Sequence, residues 1–290
     1  LQATSAELGV IIPPSIPMIL YGVSAEVSIG ELFIAGFGPG ILIGGGLMAF
    51  VWIWSKVKGY GKDDHVGRMT FSHASREAAL ALMMPVIILG GIYGGVFTPT
   101  EAAAVAIFYG LFVGVFIYRT INSLSIIVEI LTETAKATAI VMIVVTCAGL
   151  YSWVGSAVGL VEKCSGVLLG VSSNPWIVLL MINIILLFAG MLLDAISIYY
   201  VFLPFMLPIV SHFHWDPVWF GIMMTINLAV GQVTPPVAVN LYVGAKISGL
   251  TMEQISKEAL PLIGAALLAL AVITAFPSIT TFVPKMLGLY

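Results

Sequence analysis

The residues best placed to do chemistry in this chain are two proline pairs set in apolar sequence. GVIIPPSIPMILYG (9–22) is echoed 222 positions later by GQVTPPVAVNLYVG (231–244), each with a Gly four residues before Pro-Pro. Pro cannot donate a backbone hydrogen bond, the residue before it avoids the helical region, and Gly tolerates positive φ. Each element should therefore end one short helix, start another, and leave several carbonyl oxygens without a donor. Such oxygens suit a hard monovalent cation such as Na+, while the N-terminus of the returning helix can face an anionic group. Ser15, just after the first pair, and Thr234, just before the second, each add a hydroxyl near the break. Taken singly, a Pro-Pro could equally be a kink or a turn between ordinary spans. Two copies in register favour a binding element.

Asp194 is the other candidate. It sits in LLFAGMLLDAISIYYVFLPF, apolar for many positions on both sides, and an ionisable group at membrane depth costs roughly 2.5–3.5 kcal/mol on insertion scales. The run 176–210 would reach about 52 Å as one helix, against a bilayer core of about 30 Å. A break is expected near Gly190 and Asp194, where Asp194 could instead be a helix-end cap. In GGVFTPTEAAAVA, Thr98, Pro99 and Glu101 read as N-cap, N1 and N3 of a capping box. Asn183, Asn227 and Asn240 read as interhelical hydrogen-bonding residues rather than ligands. His212 and His214 could hold a metal but fit a solvated turn, and Cys147 reads as a small buried hydrophobe in a chain whose two cysteines lack metal-like spacing.

These residues must be positioned by membrane helices. With 60% hydrophobic and 9% charged residues, the chain falls far from a soluble domain, whose charged fraction is about 25%. Apolar stretches at 38–55, 79–97, 100–118, 138–155, 176–193, 195–210 and 260–283 make roughly six or seven spans of the required length, and the short alternating strands of a β-barrel are absent. Five basic residues (Lys56, Lys58, Lys62, Arg68, Arg76) sit in the polar loop 56–77, which the positive-inside rule places in the cytoplasm. The expected order is a first re-entrant hairpin (1–24), an interfacial helix and span (25–56), a cytoplasmic loop (57–77), middle spans with an amphipathic surface helix at 121–136 (78–174), a broken helix with a second re-entrant hairpin (175–249), and an interfacial helix with the last span (250–290). Gly9 to Pro14 and residues 231–236 are expected to be the non-helical tips. The repeat offset also matches Gly22 with Gly244, Glu31 with Glu253 and Pro39 with Pro261. The fold class is thus an all-α polytopic membrane protein.

In IIPPSIPMILYG (11–22), GGIYGGVFTPTEAAAVA (90–106), GMLLDAISIYYVFLP (190–204) and GQVTPPVAVNLYVG (231–244), the chain resembles the large (M) membrane subunit of tripartite ATP-independent periplasmic (TRAP) transporters. Relative to that family the first spans and most of the entering arm of the first hairpin are missing, so the chain is expected to be the C-terminal portion of a longer protein. The resemblance implies an inverted-repeat, elevator-type transporter of the bacterial inner membrane with two re-entrant helical hairpins. It also implies Na+-coupled uptake of a small organic acid, such as a C4-dicarboxylate or a sialic acid, delivered by a periplasmic substrate-binding protein and aided by a small membrane subunit. Carried over by motif, Gly9, Ile11 and Pro14 form the first tip and Gly231, Val233, Thr234 and Pro236 the second, as Na+ positions; Ser15 and Asp194 fall at the substrate cavity.

Two other classes compete. A channel with a carbonyl-lined filter would leave the repeated order of surface helices unexplained. An intramembrane aspartyl protease would need a second membrane Asp beside Asp194, and a serine protease would need a His or Lys at depth. Neither is found, so catalysis is disfavoured and Na+ is the one ion expected, with no organic cofactor.

Overall fold

The computed structural model describes residues 1–59 and 70–288. Lys62 and Arg68 of the basic loop lie outside the described residues. In chain order the helices are α1 (Gln2–Ser5), α2 (Leu8–Ile11), α3 (Ile16–Ala25), α4 (Ile29–Lys58), α5 (Phe71–Tyr93), α6 (Pro99–Phe112, continued by a π-helical turn over Val113–Ile117), α7 (Leu124–Ala157), α8 (Leu160–Val171), α9 (Pro175–Leu192), α10 (Ala195–His212), α11 (Pro217–Gly231), α12 (Val239–Ser248), α13 (Met252–Ala275) and α14 (Ser278–Met286). No strand occurs among the described residues. Seven helical stretches there are long and apolar enough to cross a membrane, which makes this an all-α polytopic membrane protein. Contacts group the chain into two compact units, Leu1–Trp54 with Ile143–Tyr290, and Ser55–Met142.

In the larger unit everything gathers on α11. Each of its residues from Val218 to Gly231 is buried, and it packs against α2, α3, α9, α10, α13 and α14. A helix that is apolar all round is a core helix, and its two polar side chains must find partners in the protein. Thr225 shares a hydrogen bond with the buried Tyr199 hydroxyl at 2.6 Å, and Thr225 Oγ1 also donates to the Gly221 carbonyl. Asn227 Nδ2 donates to both the backbone and the side-chain oxygen of Asn183, each at 2.9 Å. The expected interhelical role of these two asparagines is met, joining α11 to α9. At the start of α11, Tyr21 from α3 donates to the Pro217 carbonyl at 2.6 Å, and its ring lies where a side chain on Gly221 would be. Helix α3 is thereby fixed to the start of α11.

The smaller unit is built on α5 and α6, which pack on each other. Tyr109 donates to the Leu80 carbonyl at 2.7 Å, and the Phe97 ring fills the space above Gly91. The capping box at the start of α6 is present: Thr98 Oγ1 accepts from Glu101 N, and the Glu101 carboxylate accepts from Thr98 N at 2.8 Å.

Three local expectations differ from the structure. The tips are shorter than the motifs: Gly9, Ile11 and Gly231 are helical, and neither Gly9 nor Gly231 has a positive φ. Only Ile12–Ser15 and Gln232–Ala238 leave the helix. The stretches 28–40 and 250–260 are the first turns of long helices, α4 and α13, which run on through Pro39 and Pro261. Residues 121–136 likewise merge with the span that follows them, as α7. One reason covers all three. In an apolar medium a backbone group without a partner costs several kcal/mol, so helix persists wherever Pro removes only a single bond.

Packing at the crossing of α9 and α11 yields a test. A Cβ on Gly231 would lie 2.7 Å from the Gly190 Cα, so Gly231→Val should lower stability by about 1–3 kcal/mol, as overpacked sites do. Tyr21→Phe, losing one hydrogen bond and no volume, should cost only about 1 kcal/mol. Thermal unfolding of the full-length protein checks both values and their order.

Candidate functional site

The first tip is Ile12–Ser15, with a cis peptide between Pro13 and Pro14. Ser15 caps α3: its hydroxyl accepts from Met18 N at 3.5 Å and donates to the Val10 carbonyl. That second bond ties the two arms together across the prolines. Ile11 is buried, and its carbonyl faces α4 beside Gly36. Pro14 lies at the exposed edge of the tip, while Ser15 and Pro13 are enclosed.

The second tip repeats the outline with different bonds. A cis peptide again joins the two prolines, Pro235 and Pro236. Here Asn240 N donates to the Gln232 carbonyl at 3.1 Å and closes the loop. Thr234 Oγ1 donates to Val230 O at 2.7 Å. Val233, like Ile11 at the matching position of the first tip, is fully enclosed. Ala238, where α12 begins, adopts a left-handed conformation with φ of 49°.

The third break is the one anticipated near Asp194. Helix α9 ends at Leu192, Leu193 is extended, and Asp194 caps α10. Its carboxylate accepts from Ser197 N at 3.1 Å and from Ser197 Oγ at 2.6 Å. Asp194 thus takes the helix-cap placement, in an exposed position.

What brings two of these breaks together is a contact without side chains. A Cβ on Gly190 would lie 3.1 Å from the Gly231 Cα, and a Cβ on Gly231 would lie 2.7 to 3.2 Å from the Cα, carbonyl carbon and oxygen of Gly190. Gly231 ends α11 one residue before the second tip, and Gly190 lies four residues before Asp194. The last turn of α11 before the second tip and the last turn of α9 before the Asp194 break therefore touch. The first hairpin reaches the same helix from another side, through α2 and α3 against α11.

Among the described residues, no hydrogen bond reaches the carbonyls of Pro13, Pro14 and Pro236, while residues 235–237 form a turn. Oxygen atoms left free in this way fit a hard cation of low charge. No group of three or more His, Cys, Asp or Glu side chains capable of holding a metal occurs among the described residues. The donor set therefore matches a monovalent ion far better than a transition metal.

Sequence reasoning missed one residue. Glu7, between α1 and α2, is fully buried, and both of its carboxylate oxygens lack a partner. Nothing in the pattern LQATSAELG distinguished it from a polar residue at a helix end. The signal, available only in hindsight from the repeat, is that its counterpart at the 222-residue offset is the buried Ala229.

Over residues 1–279 the chain matches the family described as the tripartite ATP-independent periplasmic transporter, DctM component. It is 43% identical to the isethionate TRAP transporter permease protein DctMQ of Oleidesulfovibrio alaskensis, over 97% of this chain and 44% of that protein. It is 37% identical to the sialic acid TRAP transporter large permease protein SiaM of Vibrio cholerae, over 99% of this chain and 67% of the relative. The C4-dicarboxylate TRAP transporter large permease protein DctM of Pseudomonas aeruginosa is also 37% identical, over 97% of this chain and 66% of its own length. The chain thus spans between 44% and 67% of the length of these relatives. By this match and by its seven apolar helices, the chain belongs to the DctM family, the large permeases of TRAP transporters, which are multi-pass inner-membrane proteins and not enzymes.

Proposed function

We propose that the complete protein is the membrane permease of a Na+-coupled importer of a small organic acid, working with a periplasmic substrate-binding protein and a small membrane subunit. The observation that carries this reading is the meeting of the second tip with the Asp194 break at Gly190 and Gly231. Free carbonyls and a helix N-terminus then share one locality: one suits a cation, the other an anion. The solutes named for the relatives, isethionate, sialic acid and C4-dicarboxylates, are all organic anions.

Na+ is assigned to the two tips: Gly9, Ile11 and Pro14 in the first, and Gly231, Val233, Thr234 and Pro236 in the second, chiefly through backbone carbonyls. Thr234 keeps its hydroxyl lone pairs available, since it acts as a donor toward Val230. The solute is assigned to Ser15 and Asp194. A carboxylate repels an anionic group, so Asp194 would accept from solute hydroxyl or amide groups, and Ser15 would engage by exchanging its bond to the Val10 carbonyl. The two hairpins, fixed to one buried helix, would move as a body in an elevator-type cycle of an inverted-repeat fold.

Vesicles holding the full-length protein and its partners test the reading. Uptake should require both a Na+ gradient and the binding protein; uptake indifferent to both sinks it, and a saturation-free conductance would favour a channel. Thr234→Ala should raise the Na+ concentration for half-maximal uptake by about tenfold, the scale at which changes around a bound metal register. Asp194→Asn is the sharper variant because Asn caps helices as well as Asp does. It should leave thermal stability within about 0.5 kcal/mol while reducing uptake severely, and unimpaired uptake would confine Asp194 to capping.

A further inference from the structure

Among the described residues, one buried charge-bearing group is accounted for by neither tip. Glu7 lies in the entering arm of the first hairpin with 0% exposure. Its backbone starts α2, yet its side chain caps nothing. Both oxygens are sealed from solvent and unpartnered. The same holds for Thr4 Oγ1, and the Thr4 residue is also fully buried. Glu7 N donates to Thr4 O at 3.3 Å, a helical turn that sets the two side chains on one side of the arm.

Burying a carboxylate without a partner costs far more than a local cap could return. The repeat shows that packing does not require it. At the same offset the second hairpin carries Ile226 for Thr4 and Ala229 for Glu7, both fully buried in α11. A partner from elsewhere in the protein cannot reach the carboxylate without rearrangement, because this chain's own atoms already cover both oxygens. The elements packed on this arm set no partner against the carboxylate: in α4, which meets Leu8 and Ile11, the charged residues Glu31, Lys56 and Lys58 lie in its first and last turns. Helix α11 has no charged residue; in α13 Lys257 pairs with Glu253 at 2.8 Å, and in α12 Lys246 lies over the Tyr242 ring. Hence a small cation is the species that answers all three oxygens.

We propose that Glu7 and Thr4 form a site for one Na+ in the entering arm of the first hairpin, separate from the tips. Oxygen ligands suit a hard ion, and a single carboxylate balances a single positive charge. Thr4 borders a cavity of about 450 Å³ between α1, α12 and α13, with the oxygen-bearing side chains of Asn240 and Glu258 on its walls, which gives the ion an approach. The site deepens the Na+-coupled reading and rests on it for its role in transport, but its occupancy can be read independently.

The test is thermal unfolding of the purified full-length protein in NaCl against equal choline chloride. The wild type should be stabilised by NaCl. Glu7→Gln keeps the side-chain shape without the charge, and should need at least about tenfold more NaCl for the same gain, since even outer partners of a metal ligand are worth roughly 10–100-fold. Thr4→Val should shift in the same direction by less. An unchanged half-saturation in Glu7→Gln, or no NaCl effect on the wild type, overturns the site. If Glu7→Gln does not fold, Thr4→Val decides, and its unchanged half-saturation overturns the site equally. Uptake that is indifferent to Na+ overturns the coupling reading alone, while stabilisation that depends on Glu7 leaves the site standing.

Discussion

The structure depends on a helix that has no outside. From Val218 to Gly231, α11 presents no face to solvent or lipid within its own unit, so its polar side chains turn to neighbours, and among their hydrogen-bonding atoms only Asn227 Oδ1 is left without a partner. At about 22 Å for fifteen residues it is also shorter than a bilayer core. Its partners are dictated accordingly. Tyr199 meets Thr225, Asn183 meets Asn227, Trp219 Nε1 donates to the Ile273 carbonyl at 3.2 Å, and Tyr21 holds the Pro217 end. Each bond comes from a different helix, and together they fix α3, α9, α10 and α13 around one axis.

The internal repeat preserves a frame more than a set of contacts. Both tips have a buried aliphatic residue two positions before the first proline and a ten-residue return helix. Their closures differ in kind. A side-chain hydroxyl bridges the first, from Ser15 to Val10, whereas a backbone N–H bridges the second, from Asn240 to Gln232. The return helices also start differently, from an extended Ser15 with a capping hydroxyl and from a left-handed Ala238 without one. Two halves built on one outline thus carry distinct chemistry at matching places, and Glu7 opposite Ala229 is the sharpest case.

Much of this was legible in the sequence because Pro, Gly and capping residues act locally. The breaks at both Pro-Pro pairs and at Asp194, the Thr98–Glu101 capping box and the Asn183–Asn227 pairing all follow from rules that need only a few neighbours. What escaped depends on distant neighbours. The helicity of Gly9, Ile11 and Gly231 reflects the cost of unpaired backbone in apolar surroundings, which outweighs the conformational freedom of Gly. The same cost carries α4 through Pro39 and α13 through Pro261. The burial of Glu7 is a property of what packs around it, and a single chain read in order holds no trace of that packing. Gly190 was noticed as a point of weakness, yet its use is as a point of contact.

That contact has a consequence for how the family can diversify. Gly190 and Gly231 meet through backbone alone, so the junction carries no group that can be titrated, oxidised or exchanged for one of altered polarity. Only an added carbon can disturb it. The neighbouring Leu193 and Gln232 add side chains beside this junction and none within it. A change of side chain nearby therefore leaves the spacing of the two backbones untouched.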